Sequence, residues 1–247
     1  MEKNEREKRA FLLEMTTDAQ SFIRHGKKEK ALECYEKILE KYPEETRAIY
    51  GKGMTHYEFD ELQEAMKFFD QVLALKPNDI DSLYAKGSVL SNLGRNEEAF
   101  DLFNKILALD KKLSFVWLAK GYTLLDLEKS EQALDCFEKV SELGRSNDAL
   151  TGKGHAYRKI EKFKEASKNY SEAIKLDPYD PEALFGLGVI EFENKNNKKA
   201  LEYLYKCVVQ DDDNADAWKV LAELYKILNQ EDNVKIALDK IKELESS

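Results

Sequence analysis

Apolar and small residues return along this chain at two nested periods. Within short stretches they follow helical spacing: over residues 64–75, Ala65, Phe69, Val72 and Leu73 share one face while Glu64, Lys67 and Asp70 share the other. The whole pattern then repeats. A small residue stands at Ala19, Gly53, Gly87, Gly121, Gly154, Gly188 and Ala222, with steps of 34, 34, 34, 33, 34 and 34 residues. Twelve residues after each comes Ala31, Ala65, Ala99, Ala133, Ala166, Ala200 and finally Val234. Four further on stand Tyr35, Phe69, Phe103, Phe137, Tyr170, Leu204 and Leu238, and three beyond those Ile38, Val72, Ile106, Val140, Ala173, Cys207 and Ile241.

Each unit reads as two helices joined by a short polar or Gly-bearing stretch, such as 92–96 or 159–162. Pro43, Pro77 and Pro178 close three of the units, and the Pro-Asn-Asp and Pro-Tyr-Asp that follow supply N-cap candidates for the next helix. The small residues are expected where two helices cross closely, a Gly opposite an Ala, with the aromatic filling the space beside them. Val234, Ala237, Leu238, Ile241 and Leu244 form one stripe of the last helix, which is expected to cap the array. The chain is thus all-α, with a charged helical extension over 1–11 and a single array of seven units over 12–45, 46–79, 80–113, 114–146, 147–180, 181–214 and 215–247. Pro is missing after the third, fourth and sixth units, and the fourth is one residue short near Gly144 to Asn147, where the array is expected to be perturbed.

This spacing of small residue, Ala, aromatic and Pro resembles the tetratricopeptide repeat (TPR) family, over residues 12–247. The resemblance implies an α-α solenoid: a right-handed superhelix of helix-turn-helix repeats, with the first helix of each pair lining a concave channel and the second forming the outside. It also implies a channel-facing stripe six and three residues before each small residue and one, four and five after it. In the second to fourth units that stripe includes Tyr50, Met54, Tyr57, Tyr84, Ser88, Asn92, Phe115, Leu118, Tyr122 and Leu125. The fifth unit is polar and basic, with Thr151, His155, Arg158 and Lys159, and the sixth adds Phe185, Val189 and Phe192. Aromatic rings on a concave surface suit partner binding. The Lys, Asn and Arg clamp with which some members hold a C-terminal carboxylate is absent, since Tyr50, Met54, Asp81 and Ala85 stand at such positions.

Composition narrows the function. Eleven Gly and four Pro in 247 residues leave few helix breakers, and a net charge of −9 lacks the cationic footprint of a protein that binds nucleic acid through phosphates. No apolar run is long enough to cross a membrane, and the N-terminal MEKNEREKRAF lacks a signal-peptide core, so the expectation is a cytoplasmic protein. Cys34, Cys136 and Cys207 lack metal spacing and read as buried apolar residues.

Catalytic signatures are missing as well. Gly51-Lys52-Gly53 and Gly152-Lys153-Gly154 lack the Ser or Thr and the earlier Gly of a phosphate loop. His25, His56 and His155 lie in different units, and Asp211, Asp212, Asp213 and Asp216 lack the central Gly and terminal Glu of a calcium loop, so they read as an inter-repeat turn. Lys52, Lys86, Lys120 and Lys153 lie opposite the stripe and are expected to run their stems along the helix junctions, with the ammonium groups outside. The reading is a non-enzymatic scaffold, without cofactor or metal, that binds a partner's peptide or helix. Its site residues are Tyr50, Met54, Tyr57, Tyr84, Ser88, Phe115, Leu118, Tyr122, His155, Arg158, Lys159, Phe185 and Phe192. Self-association is the alternative, and single-stranded RNA binding a minor one that the charge disfavours.

Overall fold

The computed structural model describes residues 2–144 and 146–246, and the fourteen helices among them fit about seven repeats. Two compact units divide the chain, Met1–Thr123 and Leu124–Ser247. The first holds α1 (Glu2–Arg24), α2 (Lys28–Lys41), α3 (Thr46–Glu58), α4 (Leu62–Leu75), α5 (Ile80–Asn92), α6 (Asn96–Leu109) and most of α7 (Ser114–Asp126). The second holds the end of α7, then α8 (Ser130–Leu143), α9 (Asn147–Lys159), α10 (Phe163–Leu176), α11 (Pro181–Glu193), α12 (Asn197–Gln210), α13 (Ala215–Ile227) and α14 (Glu231–Ser246). Odd-numbered helices open each repeat and even-numbered ones close it. Helix α1 is uninterrupted, so the charged residues ahead of Phe11 continue the first helix.

The turn inside each repeat has one recurring geometry. Two residues after the end of each first helix stands a residue with positive φ: Gly26, Asp60, Gly94, Glu128, Glu161, Lys195 and Asn229. The amide after it returns to the carbonyl five residues back, as in Arg95 to Leu90 at 2.8 Å and Lys162 to Tyr157 at 2.9 Å, which satisfies carbonyls the helix end would leave open. Glycine occupies two of these seven sites. Between repeats, side chains cap the next helix. Asp79 accepts from the Ser82 amide at 3.0 Å, and Asn214 from the Ala217 amide at 2.9 Å. The missing residue of the fourth repeat shortens the turn between α8 and α9; Arg145, within that turn, lies outside the described residues.

The glycines lie against the buried residue of the period: Gly51, Gly53, Gly87, Gly152, Gly154 and Gly186 face aromatic rings, and Gly188 faces Leu204. A Cβ added at Gly87 would stand 2.7 Å from Phe103, one at Gly53 2.6 Å from Phe69, and one at Gly152 2.5 Å from Phe137. Tyr170 is gripped from two sides, by Gly154 of its own repeat and by Gly186 of the next. The absent side chains therefore make room for rings that are fully buried: Phe69, Phe103, Phe137 and Tyr170 expose 1% or less. The three cysteines are free and buried, and burial, ahead of Asp211 and Asp180, pushes the Cys207 thiol up to about 12.

The lysine row behaves as its helical angle predicts. Lys52 pairs with Glu36 at 3.1 Å and Lys86 with Asp70 at 2.6 Å, each linking a first helix to the second helix of the preceding repeat. Lys153 pairs with Glu138 in the same way. At the third repeat the acidic position is Asn104, and Lys120 instead lies 5.1 Å from the rings of Phe100 and Trp117.

Candidate functional site

In the first unit, α1, α2 and α3 enclose a cleft of about 680 Å³. Tyr50 and Met54 form its apolar wall with Ile23, while Arg24, Arg47 and Glu58 line it with charge. The Tyr50 ring packs against Phe69 with centroids 5.6 Å apart, and burial, followed by Asp81 and Asp79, raises its phenol above the ordinary value. Sequence reasoning singled out the second to sixth repeats and left Thr16, Gln20 and Ile23 of α1 unremarked. The stripe rule places all three when it is stepped back from Ala19.

Further along this unit Tyr57, Tyr84, Ser88, Leu118 and Tyr122 are half-buried, while Asn92 and Phe115 are exposed. Asn92 donates to the Tyr57 hydroxyl at 3.2 Å. Tyr84 meets Phe115 edge-on at 4.9 Å and Phe103 at 5.9 Å, and bonds with Ser88. Phe115 keeps 42% of its surface open; Leu118 and Tyr122 are half-buried. Tyr84 is thus as much a packing residue as an anchor.

In the second unit the structure draws the polar stripe of the fifth repeat into a network. Thr151 is not on an open surface: it is 1% exposed and donates to Asp180 Oδ2 at 2.6 Å, beside Asn147 at 2.8 Å. Leu125 is also buried. The Arg158 guanidinium donates to the Tyr170 oxygen, which leaves the phenol proton for His155 Nδ1 at 2.8 Å. That arrangement puts the imidazole proton on Nε2, 3.2 Å from Glu182. Arg158 Nε is buried without a hydrogen-bond partner, and Lys159 donates to the Leu125 carbonyl at 2.8 Å. Phe185 and Phe192 pack against the core built by α11 to α14. The sequence signal for this network was a tyrosine where the three preceding repeats carry phenylalanine, because a buried hydroxyl requires a partner.

Burial is the first cause that pushes the Tyr170 phenol up to about 12, with Arg158 opposing and Glu182 and Asp180 adding. Its neutral form therefore stabilises the fold fully below the ordinary value of 10.0, and this contribution is lost as pH rises from there through about 12. The span of two units corresponds to about 3 kcal/mol. Tyr170→Phe should remove that part of the alkaline loss. Urea midpoints below pH 10 and near pH 12 that fall equally in wild type and variant would refute the assignment.

Among the described residues no three His, Cys, Asp or Glu side chains gather as a metal would require. His25 bonds to the Ser21 carbonyl at 2.7 Å and His56 to Glu61 at 2.6 Å. In the acidic run, Asp212 pairs with Lys240 at 3.1 Å and its carbonyl accepts from the Trp218 indole at 2.8 Å.

Three family models match the sequence: a tetratricopeptide repeat model over residues 17–80, a TPR repeat model over 154–195, and anaphase-promoting complex, cyclosome, subunit 3 over 60–140. No match was found among curated proteins. Among solved structures, a tetratricopeptide repeat protein from Parabacteroides merdae is 18% identical, with a TM-score of 0.79 over 95% of this chain and 93% of its own. YrrB, described as a TPR protein with an unusual peptide-binding site, is 24% identical, with a TM-score of 0.55 over 74% and 95%. The Cut9-Hcn1 hetero-tetramer of the APC/C gives 15% identity and a TM-score of 0.77 over 92% and 45%. At these identities the likeness is one of fold.

Proposed function

The chain belongs to the tetratricopeptide repeat family, a scaffold type whose general use is protein–protein interaction, and from that premise we propose that it is a non-catalytic scaffold holding a partner's peptide or helix along its first helices. The observation that carries this reading is the 680 Å³ cleft, where Tyr50 and Met54 stand beside Arg24 and Arg47 and continue into the half-open Phe115 and Tyr122. Such a surface combines apolar anchors with charge that can fix register. In the second unit, taken by itself, His155, Arg158 and Lys159 supply a polar stretch on the first helix of the fifth repeat. The description of YrrB as a peptide-binding TPR protein supports the reading. Three free, buried cysteines suit the reducing cytoplasm, where the partner would be met.

The test is retention of a partner from lysate, followed by affinity measurement with the isolated partner. Phe115→Ala combined with Tyr122→Ala should weaken binding at least tenfold, about 1.4 kcal/mol, while the helical circular-dichroism signal persists. Tyr84 is left intact because its ring also packs the repeats together. Lys67→Ala with Asp101→Ala, on the exposed faces of α4 and α6, should bind as wild type. Loss of binding in that outer pair, with the inner pair fully competent, would show that the partner reads the second helices.

A further inference from the structure

The fifth repeat shows what a phenol at the buried ring position requires. The Tyr170 hydroxyl meets His155 and Arg158, one and four residues past the small residue Gly154. Phe69, Phe103 and Phe137 bring no hydroxyl to that position. Tyr35 does, and the residues one and four past its own small residue, Ala19, are Gln20 and Ile23. Ile23 cannot accept a hydrogen bond, Gln20 is exposed, and among the described residues the Tyr35 hydroxyl has no hydrogen-bond partner. The side chain itself is fixed. Tyr35 is 4% exposed, its ring lies against Gly51, and its remaining surface opens into the 680 Å³ cleft. All of the cleft's lining comes from α1, α2 and α3, so its walls are internal to the first unit.

Charge complementarity selects the occupant. Arg24 and Arg47 line this cleft, and among the described residues neither has an ion pair, whereas Lys8, Lys28 and Lys52 nearby pair with Glu45, Glu61 and Glu36. The carboxylate in the lining is Glu58. It stands at the same repeat position as Arg24, at the other end of α3 from Arg47, about 16 Å away along the helix. Arg47 therefore presents a positive charge that the cleft does not neutralise. Tyr50 and Met54 follow it by one and two turns, about 5 and 10 Å, a span that an extended chain covers in two or three residues. A helical occupant has its carbonyls spent on its own amides, so the acceptor that Tyr35 lacks comes from an extended one.

Taking the scaffold function as given, we propose that this cleft reads an extended, acidic segment of a partner protein. An Asp or Glu of the segment pairs with Arg47, and a large apolar side chain two or three residues away lies on Tyr50 and Met54. A backbone carbonyl between them accepts from the Tyr35 hydroxyl.

The probe is a displayed library of random nonapeptides, selected in parallel on the wild-type protein and on Arg47→Glu. Wild type is expected to enrich an acidic residue two or three positions from Leu, Phe or Met, and Arg47→Glu to enrich Lys or Arg in its place. The leading wild-type peptide, synthesised with both ends capped, should bind Arg47→Glu about tenfold more weakly and Tyr35→Phe about fivefold more weakly. Without peptide, Tyr35→Phe should melt no lower than wild type, because it keeps the ring and gives up a hydroxyl that no protein group holds. A lower melt with unchanged affinity would make the hydroxyl structural and overturn its role as a ligand group. The same motif from both proteins, or enrichment without an acid, overturns the proposal and leaves the scaffold function standing. So does an empty selection when a lysate partner is still lost on Phe115→Ala, Tyr122→Ala. Wild-type oligomers that Arg47→Glu dissociates make a second copy the occupant and overturn the choice of partner.

Discussion

Replacing Gly87 by leucine is expected to destabilise the first unit by about 3 kcal/mol, at the upper end of what overpacking typically costs. The Cβ alone would stand 2.7 Å from one ring carbon of Phe103 and 3.0 Å from another. Retreat is blocked, because the ring is 1% exposed and sits among Leu83, Leu90, Ile106 and Val116. Relief from having glycine in mid-helix returns roughly 1 kcal/mol at most, so the clash wins. Urea unfolding followed by circular dichroism should show a lower midpoint, with hydrogen exchange fastest in the third repeat and its neighbours. Phe103→Ala alone should also destabilise, by roughly 3 to 5 kcal/mol. Combined with Gly87→Leu it should cost less than the sum, since the new side chain partly fills the vacated space. An unchanged midpoint for Gly87→Leu, or strict additivity in the pair, would show that the glycine does not accommodate the ring.

Asp180→Ala is expected to be comparably damaging in the second unit, through hydrogen bonding. One carboxylate oxygen accepts from the Glu182 and Ala183 amides at 3.0 and 3.1 Å and so caps α11; the other accepts from Thr151 and Asn147. Losing the cap costs about 1 kcal/mol, and stranding the buried Thr151 hydroxyl about 1 to 3 more. A total near 3 kcal/mol is expected. Asp180→Asn keeps one acceptor oxygen for the amides but turns a donor toward Thr151 and Asn147, so it should fall between alanine and wild type. The double variant Asp180→Ala, Thr151→Val should recover part of the loss, because it removes the stranded hydroxyl. Thermal melts of the set decide the matter. Equal stability of wild type and Asp180→Ala would mean that the network contributes nothing.

The division between what was readable and what was not follows from range. The helix pairs, their seven-fold frame, the buried rings of the first five repeats and the outward lysines all follow from helical angle and a 34-residue spacing, both properties of the chain itself. Five of the seven positive-φ turns carry no glycine; Asp60 and Asn229 are of types that take this conformation readily, whereas at Glu128, Glu161 and Lys195 nothing local announced it and the packing of the two flanking helices imposes it. Thr151 was placed on the open stripe because its angle puts it there. It is buried because Asp180, 29 residues later, turns back over it.

The same holds for function. Periodicity determined which residues share the face of the first helices, Tyr50, Met54, Tyr57, Tyr84, Phe115, Tyr122, Phe185 and Phe192 among them. Tertiary structure decided which of them stay open: Phe115 keeps a free edge, Tyr84 divides its ring between Phe103 and Phe115, and His155 is tied to Tyr170. It also decided that Leu238, which the period makes the equivalent of six buried residues, remains uncovered. A residue's face is set by its own helix, whereas its burial is set by neighbours that arrive from other repeats, and in the described chain no further repeat reaches the last one.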